Sequence, residues 1–218
     1  MNKSLLSQSL NQCASVCASA CLAAVLATAA TGAMAAPVDL TTWTGLGDTL
    51  VTASTAKVTT AFSDEAPLSG SALYIDDLES GLSATSGTLG GEALEGSALL
   101  QSFNFTGNTR VSFNWALSTE NFDAGYADLA FVLIDGVLLQ PLANVALAEQ
   151  SGLFRYSFTA GAHTLAFGVV DVNDVTGVSI LSVANVDVSL VPEPGSLALL
   201  LAGLGLVATQ SARRRTLE

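Results

Sequence analysis

Between residues 36 and 190, apolar and polar side chains alternate with a period of two in one segment after another. Val111, Phe113, Trp115 and Leu117 alternate with Ser112, Asn114 and Ala116, the pattern of a strand with one face buried and one in water. Phe154, Tyr156 and Phe158 repeat it, as do Leu165, Phe167 and Val169, and Val186, Val188 and Leu190. Asp135-Gly136 separates Phe131-Val132-Leu133-Ile134 from Val137-Leu138-Leu139. It predicts a hairpin, because such a turn needs residues that accept positive φ. Further short strands are expected near Leu50-Val51, Lys57 to Phe62, Ala72 to Ile75 and Ala98 to Phe105, with helical spacing confined to a stretch around Leu142 to Ala148. About nine short strands, each with one face to bury, are most simply packed as two sheets, so the expectation is a single all-β antiparallel sandwich of jelly-roll type.

The pattern breaks at both ends. Near the N-terminus, Lys3 is followed by an apolar stretch from Ala20 to Ala30 and by Ala33-Met34-Ala35, the three parts of a secretory signal peptide with a small-x-small cleavage rule. Residues 1–35 are read as that signal, cut between Ala35 and Ala36. All three cysteines, Cys13, Cys17 and Cys21, lie upstream of the cut; the mature chain therefore has no disulfide and no thiol. At the other end, Val191-Pro192-Glu193-Pro194-Gly195 halts the sandwich, since proline fixes φ and blocks a helix from running back through it. An uncharged helix is predicted from about 195 to 212, followed by Arg213-Arg214-Arg215. Eighteen residues rise about 27 Å as a helix, enough for a thin bilayer with the arginines held on the cytoplasmic side. Residues 36–190 are then a single exported domain.

Residues 191–218 resemble the PEP-CTERM sorting signal of Gram-negative bacteria in the order of their parts: Pro192-Glu193-Pro194, the Leu/Ala/Gly helix, and Arg213, Arg214 and Arg215. The resemblance implies an exosortase as partner, a transient inner-membrane anchor, and delivery to the cell surface or extracellular matrix in a setting of exopolysaccharide, biofilm and floc formation. A second resemblance, over roughly Ser97 to Leu190, is to the carbohydrate-binding-like jelly rolls that such proteins often carry. It rests on Ala160-Gly161-Ala162-His163-Thr164-Leu165-Ala166-Phe167-Gly168-Val169-Val170-Asp171, on Asp174, and on Val183-Ala184-Asn185-Val186. The related pattern commonly has an aspartate where this chain has Ala184.

Charge narrows the partners. Residues 36–190 contain three basic residues, Lys57, Arg110 and Arg155, against 17 acidic ones, a formal −14 with histidine neutral. Nucleic acid is excluded as a partner of the domain as a whole, because binding it needs many cations facing phosphates. An acidic surplus favours solubility and can attract divalent cations. Glu120, Asp123 and Asp128 flank one predicted turn, and Asp171 and Asp174 another. These hard oxygen donors are the candidate ligands of a structural calcium; no other cofactor is expected.

Catalytic patterns are poor. His163, the single histidine, opens a predicted strand, where a rim or hydrogen-bonded position is expected. There is no Gly-x-Ser-x-Gly elbow, no phosphate-binding loop, no dinucleotide fingerprint and no histidine zinc motif. Asp76-Asp77 and Asp64-Glu65 are adjacent pairs whose members would point to opposite faces of a strand. Trp43, outside any core pattern, with Tyr74 and Tyr126 could form a sugar platform, whereas Trp115 lies in a core stripe. The chain is read as a non-enzymatic structural or adhesive surface protein. A carbohydrate-binding module that attaches to exopolysaccharide is the alternative, and a secreted glycoside hydrolase a remote one.

Overall fold

In the computed structural model, which describes residues 36–119, 127–144, 149–191, 201–203 and 205, the alternating segments become two antiparallel sheets. One contains β3 (Asp48–Val51), β4 (Thr55–Thr59), β7 (Thr109–Thr119), β10 (Gln150–Phe158) and β12 (Ser179–Leu190), in the order β10-β7-β12-β4-β3. A short β1 (Ala36–Pro37) pairs alongside β12, Ala36 opposite Val188. The second contains β2 (Thr44–Leu46), β6 (Ala93–Phe105), β8 (Leu129–Ile134), β9 (Leu138–Asn144) and β11 (Gly161–Val172), in the order β2-β6-β11-β8-β9, with β5 (Leu73–Tyr74) beside β6. From β6 onward the chain changes sheet at every step but one, the connectivity of a jelly roll. The Asp135-Gly136 hairpin forms as expected between β8 and β9, with φ 53° and 67° at its two turn residues.

The two sheets differ in how many faces they bury, and this explains their sequence patterns. Between them lies a core of Trp43, Val58, Leu99, Val111, Phe113, Phe154, Leu165, Phe167 and Leu181, knitted by ring contacts such as Phe113–Phe154 at 4.8 Å and Phe113–Phe167 at 5.5 Å. A second core covers the far side of the β6–β11–β8 sheet: Leu78, Leu82 and Leu89 pack on Ala98, Phe131, Leu133, Ala166 and Val170. Its cover is α1 (Ile75–Gly81) and the segment after it. β8 and β11, buried on both faces, read as nearly continuous apolar runs, whereas β7 and β10 alternate cleanly because the outer face of their sheet is open.

Three expectations need correction. Ala72 to Ile75 yields only the two-residue β5 and then a helix, which Asp76 and Asp77 favour electrostatically from its first turn. Leu142, placed on a helical stretch by its spacing, lies in β9 as far as Asn144; residues 145–148 fall outside the described ones. Trp43 is buried, 6% exposed, with its ring 5.3 Å from Phe167 and 5.9 Å from Phe103. It is a core residue following a 3-10 turn at Leu40–Thr42, so it takes no part in a sugar platform. Trp115 packs inward as expected, against Gly152, where an added Cβ would stand 2.8 Å from the indole.

Candidate functional site

One end of the space between the sheets is polar. The inward positions of β6 carry Leu99, then Ser97, then Glu95, and those of β11 carry Phe167, Val169 and then Asp171. Asp171 and Glu95 stand directly opposite each other in the β6–β11 register, just before a bulge. Asp128, which leads into β8, accepts hydrogen bonds from the Ser179 hydroxyl and from the Val172 amide at 3.3 Å. All three carboxyl groups are buried. With all three ionised, neither oxygen of Asp171, and not Oε1 of Glu95, has a hydrogen-bond donor among the described residues.

Two other buried carboxylates show what a satisfied one looks like. Asp48 accepts from the Thr59 hydroxyl and from the amides of Leu68, Ser69 and Gly70 at 2.8–2.9 Å, and its own amide donates to Ser97 Oγ. Burial opposes ionisation there, but these donors win and hold its pKa below the ordinary value. Glu79 on α1 accepts from Gly87 and Leu89, both at 2.8 Å. Asp48 and Glu79 therefore pin surface segments onto the sandwich.

At the Glu95–Asp171–Asp128 cluster the balance reverses. Burial, and then the charge of Asp128, pushes Asp171 up to about 9. Burial, and then the charge of Glu65, lifts Glu95 to about 7. Asp128 is also raised, by burial first and with Asp174 adding repulsion, although Ser179 and Asp171 pull the other way. The leading charged neighbours of all three are themselves carboxylates. Protons neutralise this end of the core: a protonated Asp171 supplies the O–H that lets facing carboxyl oxygens hydrogen-bond rather than repel.

The calcium candidates divide accordingly. Glu120 and Asp123 lie outside the described residues. Asp128 and Asp171 meet, Asp174 is half-buried near Asp128, and Glu95 joins them without any signal in the local sequence. The donor set is oxygen-rich, as calcium requires, yet among the described residues no group of three acidic, histidine or cysteine side chains is arranged to hold a metal ion. The described residues alone do not assemble a calcium cage.

His163 Nδ1 sits 2.9 Å from Asp135 Oδ2, while its buried Nε2 has no partner among the described residues and the ring lies beside Phe105 and Phe158. Asp135 also accepts from the Thr164 amide at 2.8 Å; burial resists ionisation, but these partners keep its pKa low. The pair ties the β8–β9 turn to β11. Asp76 and Asp77 are both exposed on α1, and Glu65 accepts from the Phe62 amide at 3.0 Å. Tyr74 is 66% exposed and leans on Phe62 at 5.3 Å; Tyr126 lies outside the described residues.

The open face of the β10-β7-β12-β4-β3 sheet is the other candidate. Its outward positions carry Ser151, Leu153, Arg155 and Ser157 on β10; Arg110, Ser112, Asn114 and Ala116 on β7; Ser182 and Ala184 on β12; and Thr55 and Lys57 on β4. Small residues on β12 leave a trough of about 320 Å³ bounded by Thr55, Lys57, Asn114, Ala116, Ser182 and Ala184. Beside it β12 bulges between Ala184 and Asp187, with Asn185 at φ 56°.

Residues 190–215 match the PEP-CTERM protein-sorting motif, which implies an exported protein processed by an exosortase. Pro192, Glu193, Pro194, Arg213, Arg214 and Arg215, and Ala35 at the expected signal cut, lie outside the described residues. Among those described, no helix is long and apolar enough to cross a membrane. No curated protein matches the chain. Among solved structures it is similar to a CBM35 from Cellvibrio japonicus Abf62, at 10% identity and TM-score 0.25, covering 39% of this chain and 64% of that one. A family 35 carbohydrate-binding module from Clostridium thermocellum gives 7% identity and TM-score 0.30, covering 67% and 97%. A family two carbohydrate esterase from Cellvibrio japonicus gives 13% and 0.34, covering 74% of this chain and 35% of that one. The chain thus spans less than two thirds of the first of these, and similarity at this level says nothing about function.

Proposed function

We propose that this chain is a structural or adhesive protein of the surface or matrix of a Gram-negative bacterium, delivered there by its sorting tail and acting without catalysis. The observation that carries the reading is the sorting motif at 190–215, which begins where β12 ends at Leu190. An ectodomain held by two apolar cores, with buried carboxylates assigned to pinning segments and sharing protons, suits a passive extracellular load. The His163–Asp135 pair has no nucleophile to activate among the described residues. Attachment to exopolysaccharide is the adhesive act the reading assigns, and the open sheet face with its trough favours it.

Replacing Pro192 and Pro194 with alanine in an exosortase-bearing host is expected to leave the protein in the membrane fraction and to reduce cell–cell cohesion to that of a strain lacking the gene. Fractionation and a settling assay read both. Unchanged release of the variant would overturn the sorting reading; unchanged cohesion in the strain lacking the gene would overturn the adhesive one.

A further inference from the structure

The three basic residues between 36 and 190 all stand on one surface. Lys57 lies between inward Ala56 and Val58, Arg110 beside inward Val111, and Arg155 between inward Phe154 and Tyr156, so all three project from the open face of the β10–β3 sheet. All are exposed, and none is within ion-pair distance of a carboxylate among the described residues, where the ion pair is His163–Asp135. On β4, β7, β10 and β12 the single acidic residue is Asp187, opposite Ser112 and half-buried. A domain of formal charge −14 has thus kept its three cations, unpaired among the described residues, on one sheet face, with Lys57 lining the trough of small and hydroxyl side chains and Arg110 and Arg155 beyond it on β7 and β10. Cations placed for solubility or folding would be scattered or paired with the abundant carboxylates.

We propose that this face binds an acidic polysaccharide, a chain bearing carboxylates along a hydroxylated backbone. The proposal rests on the matrix reading above and names the polymer it attaches to. Arg110 and Arg155 are diagonal neighbours on adjacent strands, since Arg110 pairs with Ser157 two residues from Arg155. Lys57 lies three strands from Arg155 and four residues along it, through Ser182, Ala116 and Ser151. With strands spaced about 4.8 Å and residues about 3.3 Å apart, the separation is about 20 Å, which an oligosaccharide spans and a monosaccharide does not. The guanidinium forks suit carboxylates, and Ser112, Asn114, Ser182 and Thr55 offer donors and acceptors to sugar hydroxyls between the charged ends. The remaining acidic surface does not forbid approach, because charges beyond about 8 Å are screened at physiological ionic strength.

The test uses the exported protein purified from its host, with immobilised alginate as the acidic probe, dextran as the neutral one and duplex DNA as a polyanion without uronate. Retention on alginate is expected, released by 0.5 M salt, with little on dextran or DNA. K57Q/R110Q/R155Q should weaken alginate binding at least tenfold while leaving the melting temperature unchanged, and A184D, which sets a negative charge in the trough, should do the same. Equal retention on dextran that the triple variant does not alter would overturn the acidic-polymer proposal while leaving exopolysaccharide attachment intact. No retention on either glycan would overturn both. DNA binding equal to alginate, or a triple variant that changes only self-association in sedimentation, would assign the face to another occupant.

Discussion

Asp48→Ala is expected to destabilise the ectodomain more than any other single side-chain truncation at its polar end. The substitution strands the Thr59 hydroxyl and three backbone amides, those of Leu68, Ser69 and Gly70, which converge on one carboxylate. A buried donor left without a partner costs about 1–3 kcal/mol. The four act as a unit, so their costs do not add in full, and about 4 kcal/mol is the expected total. For a domain of this size that is a fall of about 10 °C in melting temperature. Asp48→Asn, which keeps one acceptor oxygen, should lose less. A melt of the alanine variant within a degree or two of the parent would show that the segment 62–71 is held by something else.

Stability should also fall as the solution becomes alkaline, against the usual direction for an acidic protein. Glu95 and Asp171 have folded pKa values near 7 and 9, above their ordinary 4.5 and 3.8. Between those limits the folded state holds protons that the unfolded chain has released, so unfolding is increasingly favoured as pH rises. The contribution is complete below about pH 4 and is lost through about pH 7 for Glu95 and about pH 9 for Asp171. For Glu95 alone the shift corresponds to about 3 kcal/mol. Asp39, Asp48 and Asp135 have lowered values; their contribution is present above about pH 4 and lost as pH falls below it. Maximum stability is therefore expected between about pH 4.5 and 6, with a melting temperature about 10 °C lower at pH 9. Asp171→Asn, which cannot ionise yet still donates, should flatten the alkaline fall while changing little at pH 5. A parent profile flat from pH 5 to 9, or an asparagine variant equally destabilised at both ends, would contradict the shared-proton arrangement.

The parts of the fold legible in the sequence are those with one wet face. β7, β10 and β12 were readable because the outward positions of their sheet are polar, and the β8–β9 turn because Asp135 and Gly136 both adopt positive φ. The helix Ile75–Gly81 was not readable: it is seven residues long, and Tyr74 at its N-cap makes no side-chain cap. Trp43 was misplaced because the few residues around it form a 3-10 turn and a three-residue strand, too short for any period to show. The acidic cluster was half legible. Asp128 and Asp171 stood out as loop carboxylates, but Glu95 is brought to Asp171 by strand register, and register leaves no mark in either segment alone. The clue was an acidic residue at an inward position of an apolar strand, two places from Ser97 and four from Leu99. The clustering of Lys57, Arg110 and Arg155 was equally hidden, since three isolated basic residues become one surface only when β4, β7 and β10 share a sheet.

The most direct measurement of the central claim is the intact mass and cellular location of the protein in an exosortase-bearing host and in the same host with the exosortase gene deleted. With the exosortase present, the protein is expected at the surface or in the matrix, beginning at Ala36 and lacking Arg213, Arg214 and Arg215; without it, the arginines remain and the protein stays in the membrane fraction. The same mass and the same location in both strains would contradict the account.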